Sequence, residues 1–134
     1  MVDLLKEFNE KKFLYKDETY KLIGACMEVP KILGKGLLEV VYKDAMEIEF
    51  RTQSIPYQRE KKFEIKYKEV LLNHSFYSDF VAFDKIIIEI KAQKNGLGEE
   101  NEKQLINYLA IAKCKVGLLI NFGEDSLAYK RIAL

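Results

Sequence analysis

The chain changes hydrophobic period twice. Apolar residues recur every three or four positions through the first fifty or so residues and again from 101 to 114, whereas between 57 and 92 they alternate with polar ones. That pattern predicts helices at either end of a strand-rich middle. Residues 1 to 16 are polar with scattered apolar positions and predict a short helix or a mobile arm. Asp17 is the expected N-cap of a helix carrying Leu22, Ile23, Cys26 and Met27 and ending at Pro30, which disfavours helical geometry at Val29. After a Gly34-Lys35-Gly36 turn, a second helix from Leu37 to about Gln53 places Leu37, Leu38, Val41, Ala45 and Ile48 on one face. Residues 57 to 67 read as a strand, Glu69 to Leu72 as a short return, and 75 to 83 and 85 to 92 as two strands joined by a tight turn.

Residues 93 to 100 form a loop, a third helix spans about Asn101 to Cys114, Val116 to Asn121 is a fully buried strand, and Leu127 to Ile132 alternates as a last strand. A strand-helix-strand crossover returns parallel and right-handed. The expected fold is therefore α/β, with a mixed β-sheet flanked by helices. With 134 residues and 49% hydrophobic content, residues 17 to 134 should form one domain with one core.

Composition excludes several functions. No apolar run approaches the roughly 20 residues of a membrane span, and no charged-then-apolar leader opens the chain, which predicts a cytoplasmic protein with no membrane partner. Cys26 and Cys114 lie far apart without metal-ligand spacing and read as reduced core residues; one histidine, His74, builds no zinc site with them. A net charge of +1 argues against bulk electrostatic binding of nucleic acid. Any such binding must be local. The segment Arg59, Lys61, Lys62, Lys66 and Lys68, diluted by Glu60 and Glu64, reads equally as a nucleic-acid surface or as an edge strand carrying protective lysines.

The candidate chemistry lies in the strands. In Asp84-Lys-Ile-Ile-Ile-Glu-Ile-Lys91, alternation puts Ile86, Ile88 and Ile90 on one face and Ile87, Glu89 and Lys91 on the other. A carboxylate and an ammonium thus leave a strand apolar enough to be central, where charges are excluded unless paired or bound to metal. For Asp79 to join Glu89 on that face, the connecting loop must be odd or bulged near Phe83, because a two-residue Asp84-Lys85 loop would pair Asp79 with Ile90. Glu39 sits at the margin of a helical apolar face beside Tyr42 and Met46, and Gln104 and Tyr108 share one face of the last helix, next to Leu105, Leu109 and Ala112.

The ordered set Gly36-Leu37-Leu38-Glu39-Val40-Val41-Tyr42, Asp79, Glu89-Ile90-Lys91 and Gln104-Leu105-Ile106-Asn107-Tyr108 resembles the GxxExxY family of the PD-(D/E)XK nuclease superfamily, with Ser78 where the superfamily's name has proline. The resemblance implies a restriction-endonuclease-like core and a magnesium-dependent nuclease, manganese being a plausible substitute. Its substrate would be nucleic acid, DNA before RNA. Asp79 and Glu89 resemble the metal ligands, with the Ile90 backbone carbonyl a third. Lys91 is similar to the residue that orients the attacking water and neutralises charge, and Glu39 to a helix-borne acid reaching the metal directly or through water. Gln104 and Tyr108 resemble a helix pair that supports the site. The same resemblance accommodates a catalytically inactive module that binds nucleic acid or a protein partner. Cutting both strands would require a homodimer or such a partner.

Overall fold

The computed structural model describes residues 3–134. Helices α1 (Leu4–Phe13), α2 (Lys16–Leu33) and α3 (Glu39–Thr52) precede strands β1 (Tyr57–Tyr67), β2 (Val70–Ala82) and β3 (Ile86–Lys91), then α4 (Glu99–Ala112), β4 (Val116–Asn121) and β5 (Ala128–Ala133). The five strands form one sheet in chain order, antiparallel throughout except for the parallel β3/β4 pair bridged by α4. This is the mixed sheet flanked by helices of a restriction-endonuclease-like α/β fold.

The alternation of β3 divides the core. Ile86, Ile88 and Ile90, with Val116, Leu118 and Ile120, pack against Leu22, Cys26, Tyr42, Met46 and Phe50 of α2 and α3. Ile87, Val81 and Leu119 pack against Leu105 and Leu109 of α4. All these side chains are buried, and at about 1.5–3 kcal/mol for each fully buried large apolar side chain, two-sided burial is what makes β3 and β4 the rigid centre.

The N-terminal segment is the short helix of the two alternatives, from Leu4. Three elements depart from the sequence expectations. Helix α2 opens at Lys16 behind Tyr15, not at an Asp17 cap. That helix also runs through Pro30 to Leu33 and stops at Gly34 with φ +67. Proline removes one backbone donor and crowds the preceding turn, at a cost of about 3 kcal/mol; burial of Leu22, Ala25, Cys26 and Val29 offsets it. The α3 face is rotated as well. Leu37 and Leu38 precede the helix and are exposed, as is Ile48, while Tyr42, Lys43, Met46 and Phe50 face the core. Phe50 meets Phe80 edge-on at 5.3 Å and Tyr42 stacks on Phe122 at 4.7 Å, so aromatic packing, not the count of aliphatic residues, selects the face. Finally, Val70 to Ala82 is one long strand, without a separate return at Glu69–Leu72.

Candidate active site

The β2/β3 hairpin aligns the acids. Its loop is Phe83-Asp84-Lys85, three residues long, with Ala82 paired to Ile86 and both Phe83 (φ 54) and Asp84 (φ 58) in the left-handed region. The odd loop sets Val81 opposite Ile87 and Phe80 opposite Ile88. One further step in that register brings Asp79 opposite Glu89, on the face that carries Ile87 and Lys91.

At that step the sheet opens. The β2/β3 ladder ends at Phe80 and Ile88, and the amide of Ile90 donates to Asp79 Oδ2 at 2.7 Å instead of to the backbone of β2. In an antiparallel pair the N–H and C=O of a hydrogen-bonded residue point to the same neighbour. The Ile90 carbonyl therefore also faces the opening. On the other side of β2, the β1 register passes over Glu60, which has φ 54 and lies between the paired Arg59/Phe80 and Lys61/Ser78. Both strands exchange faces here: Tyr57 and Phe80 belong to the α2/α3 core, whereas Phe63 belongs to the α4 layer and Phe76 stacks on Tyr108 of α4 at 4.0 Å. A strand whose alternation is interrupted in this way behaves as at a bulge, which re-aims a side chain. Asp79, at the crossing, is reached from both layers.

From α3, Lys43 donates to Asp79 Oδ1 at 2.9 Å and also to Glu60. Burial works against the Lys43 ammonium, but these two hydrogen bonds outweigh it and raise its pKa. One turn earlier Glu39 begins the helix as an exposed residue; desolvation of its carboxyl by the surrounding protein, and then the charge of Asp79, raise its pKa, while Lys91 and Lys43 pull the other way. Glu39 thus senses the same cluster although Asp79 lies forty residues on.

From the sheet, Glu89 is 5% exposed and its Oε1 has no hydrogen-bond partner. Burial, then the charge of Asp79 and a hydrogen bond shared with it, push the Glu89 carboxyl up to about 9. Lys91 donates to Gln104 of α4 across 3.5 Å, a long bond. Tyr108, one turn further along α4, has its pKa raised by burial and next by Glu89 and Asp79. The structure therefore brings Asp79, Glu89, Lys91, Glu39, Gln104 and Tyr108 to one end of β3.

The donor set suits a hard dication. Magnesium prefers oxygen ligands, is held by one or two carboxylates, and keeps several waters. Asp79 and Glu89 are such a pair, and the orphaned Glu89 Oε1 is a buried oxygen with no protein partner. Among the described residues no group of three or more His, Cys, Asp or Glu side chains is placed to hold a metal ion, so Asp79 and Glu89 stand here as a pair without a third carboxylate.

Lys43 and Glu60 went unrecognised as members of this region in the sequence, and Tyr42 and Asn121 were read there without their positioning roles. Lys43 carried a signal, being a lysine one turn from Glu39 and flanked by core aromatic and Met positions; Glu60 carried none, since its proximity depends on a left-handed backbone. Tyr42 is the tyrosine of the Gly36–Tyr42 motif, and its hydroxyl donates to Gly34 O (2.9 Å) and accepts from Leu37 N (3.2 Å), fixing the loop before Glu39. Asn121, opposite Lys91 in the parallel ladder and fully buried, accepts from Gln93 N at 2.8 Å and donates to Gln93 O at 2.9 Å. It fixes the segment that follows Lys91.

Fold and site together define a class. A family model of the PD-(D/E)XK nuclease superfamily matches residues 16–132. The chain belongs to that superfamily. The crystal structure of SSO0001 is similar, with a TM-score of 0.55 and 22% identity over 89% of this chain, which is a likeness of fold. This chain spans 59% of that protein's length. No curated protein matches the sequence.

Proposed function

We propose that the protein is a magnesium-dependent nuclease of the GxxExxY type, hydrolysing phosphodiester bonds of nucleic acid, DNA before RNA, in the cytoplasm. The observation that carries this reading is the Glu89 carboxyl, buried beside Asp79 with one oxygen unpartnered while the neighbouring Lys91 reaches for Gln104. A purely structural glutamate in such a place would be closed off by its lysine.

In this reading Asp79, Glu89 and the Ile90 carbonyl would hold the ion, with Glu39 completing the set through water. A bound dication would polarise the scissile phosphate and lower the pKa of a water. Glu89 must first release its proton, because only the carboxylate is a ligand. Lys91, steadied by Gln104, would orient the attacking water and offset charge as it develops on the phosphate. Tyr108, stacked on Phe76, walls the site on the α4 side. Duplex cleavage would need two sites and therefore a homodimer or a partner.

Lys43 supports a second reading. Its ammonium already satisfies one oxygen of Asp79, as in a catalytically inactive module that binds nucleic acid or a protein without metal. A gel assay on linear, circular, single-stranded and branched DNA and on RNA, with magnesium, manganese or EDTA, separates the two. Metal-dependent cleavage is expected; a protein inert on every substrate that binds DNA equally with and without metal would establish the silent module.

A further inference from the structure

Beside the proposed active site lies a cleft of about 370 Å³ bordered by Lys35, Gly36, Leu37, Ala92, Lys94 and Gly123. It continues the site along the chain from two directions, since Leu37 stands two residues before Glu39 and Ala92 directly follows Lys91. We propose that this cleft is a second phosphate subsite, holding a backbone phosphate of the same nucleic-acid strand next to the one cleaved. The inference rests on the nuclease reading and specifies how the substrate strand leaves that site.

Both walls are fixed before any ligand arrives. On one side Tyr42, stacked on Phe122, bonds Gly34 O and Leu37 N and so holds the loop bearing Lys35. Gly36 has φ +97 and open space where a Cβ would stand, so backbone is exposed there without a side chain. On the other side the buried Asn121 amide grips both backbone groups of Gln93 and accepts from Gly123 N at 3.1 Å. Gly123 packs against Gln93 so closely that a Cβ would stand 2.5 Å from its backbone. Lys94, the next residue, thus projects from a clamped segment.

The charge suits an anion. Lys94 makes no ion pair among the described residues. Lys35 is held only by an exposed contact with Asp125, the kind of pair worth at most about 1 kcal/mol and easily exchanged for a phosphate. Two lysines and a bare backbone around a cleft provide positional, sequence-independent contacts of the sort that set the register of a strand.

Fluorescence anisotropy of a labelled single-stranded oligonucleotide with the full chain in EDTA tests the assignment, using wild type, Lys94→Glu, Asp125→Asn and the charge control Lys115→Glu. Lys115 precedes β4, at the end of the sheet opposite the cleft. Lys94→Glu should weaken binding about tenfold and lower the salt slope by about one phosphate contact. Asp125→Asn should tighten it about two- to fivefold by releasing Lys35, and Lys115→Glu should change it less than twofold. Urea midpoints show whether each variant is folded, and Lys94→Gln provides a milder change should Lys94→Glu unfold the chain. Equal losses for Lys94→Glu and Lys115→Glu would overturn the subsite while leaving the nuclease reading intact. Displacement of the oligonucleotide by millimolar inorganic phosphate would assign a free-anion site instead and also overturn it. Wild type that binds no oligonucleotide in EDTA would overturn the subsite as well, while the metal-dependent cleavage assay decides the nuclease reading separately.

Discussion

Glu89→Gln is a near-isosteric change with a large expected effect on stability. In the folded chain the carboxyl is raised from 4.5 to about 9, so the folded state binds a proton that the unfolded state releases throughout that interval. A raised carboxyl means that stability is greatest below the unfolded pKa and falls as pH rises towards the folded one. pH 7 lies 2.5 pH units above the ordinary value of 4.5 and below the folded one, so at 1.36 kcal/mol per unit keeping the acid protonated in the fold costs about 3 kcal/mol. Glutamine carries no such linkage and can still donate to Asp79. Its urea midpoint at pH 7 should therefore exceed that of wild type, with the gap growing from about pH 4.5 towards pH 9 and closing below pH 4.5. Urea titrations at half-unit pH steps measure this directly. A gap independent of pH, or a variant less stable than wild type at pH 8, would refute the assignment of Glu89 as a buried, protonated acid.

Lys43→Met should lower the melting temperature in EDTA, because losing one partner of a buried ion pair costs about 3–5 kcal/mol, and magnesium should recover more stability in the variant than in wild type; identical magnesium shifts in thermal melts would contradict the placement of Lys43 on Asp79. Glu39→Ala should reduce the magnesium-induced rise in melting temperature without removing it, since Asp79 and Glu89 remain; an unchanged rise would detach Glu39 from the cluster. Gly123→Ala should destabilise the chain by about 1–3 kcal/mol in urea titrations, because its Cβ would stand 2.5 Å from the Gln93 backbone; an unaltered midpoint would mean that the clamp on Gln93 is loose.

What was legible in the sequence was set by strict local periods. The β-branched run Ile86–Ile90 allows one alternation, which fixed the face of Glu89 and Lys91; Asp79 could join them only through an odd loop or a bulge, a condition that the three-residue loop of the structure supplies. The α4 stripe and the buried β4 run were equally unambiguous. The face of α3 was not, because Leu37, Leu38 and Ile48 supply as much aliphatic character outside as Tyr42, Met46 and Phe50 supply inside, and only the presence of Phe80 and Phe122 opposite decides between them. Pro30 misled for a related reason: tertiary burial outweighed a local breaker. Glu60 depends on a crossing of faces in β1 and β2 that no local pattern encodes, Lys43 showed only its place one turn from Glu39, and Asn121 looked like the end of an apolar strand because its partner, Gln93, lies across the sheet in a loop.

The central claim is that Asp79 and Lys91 act on a phosphodiester at a magnesium site, and cleavage by wild type, Asp79→Asn and Lys91→Ala, each paired with its magnesium-dependent melting shift, tests it most directly. Wild type should cut and be stabilised by the ion. Asp79→Asn should lose both properties, whereas Lys91→Ala should keep the melting shift and lose about 10²- to 10³-fold in rate, the usual cost of removing one electrostatic stabiliser. Asp79→Asn that cleaves as fast as wild type, or Lys91→Ala with undiminished rate, would contradict the assignment of this cluster as the active site.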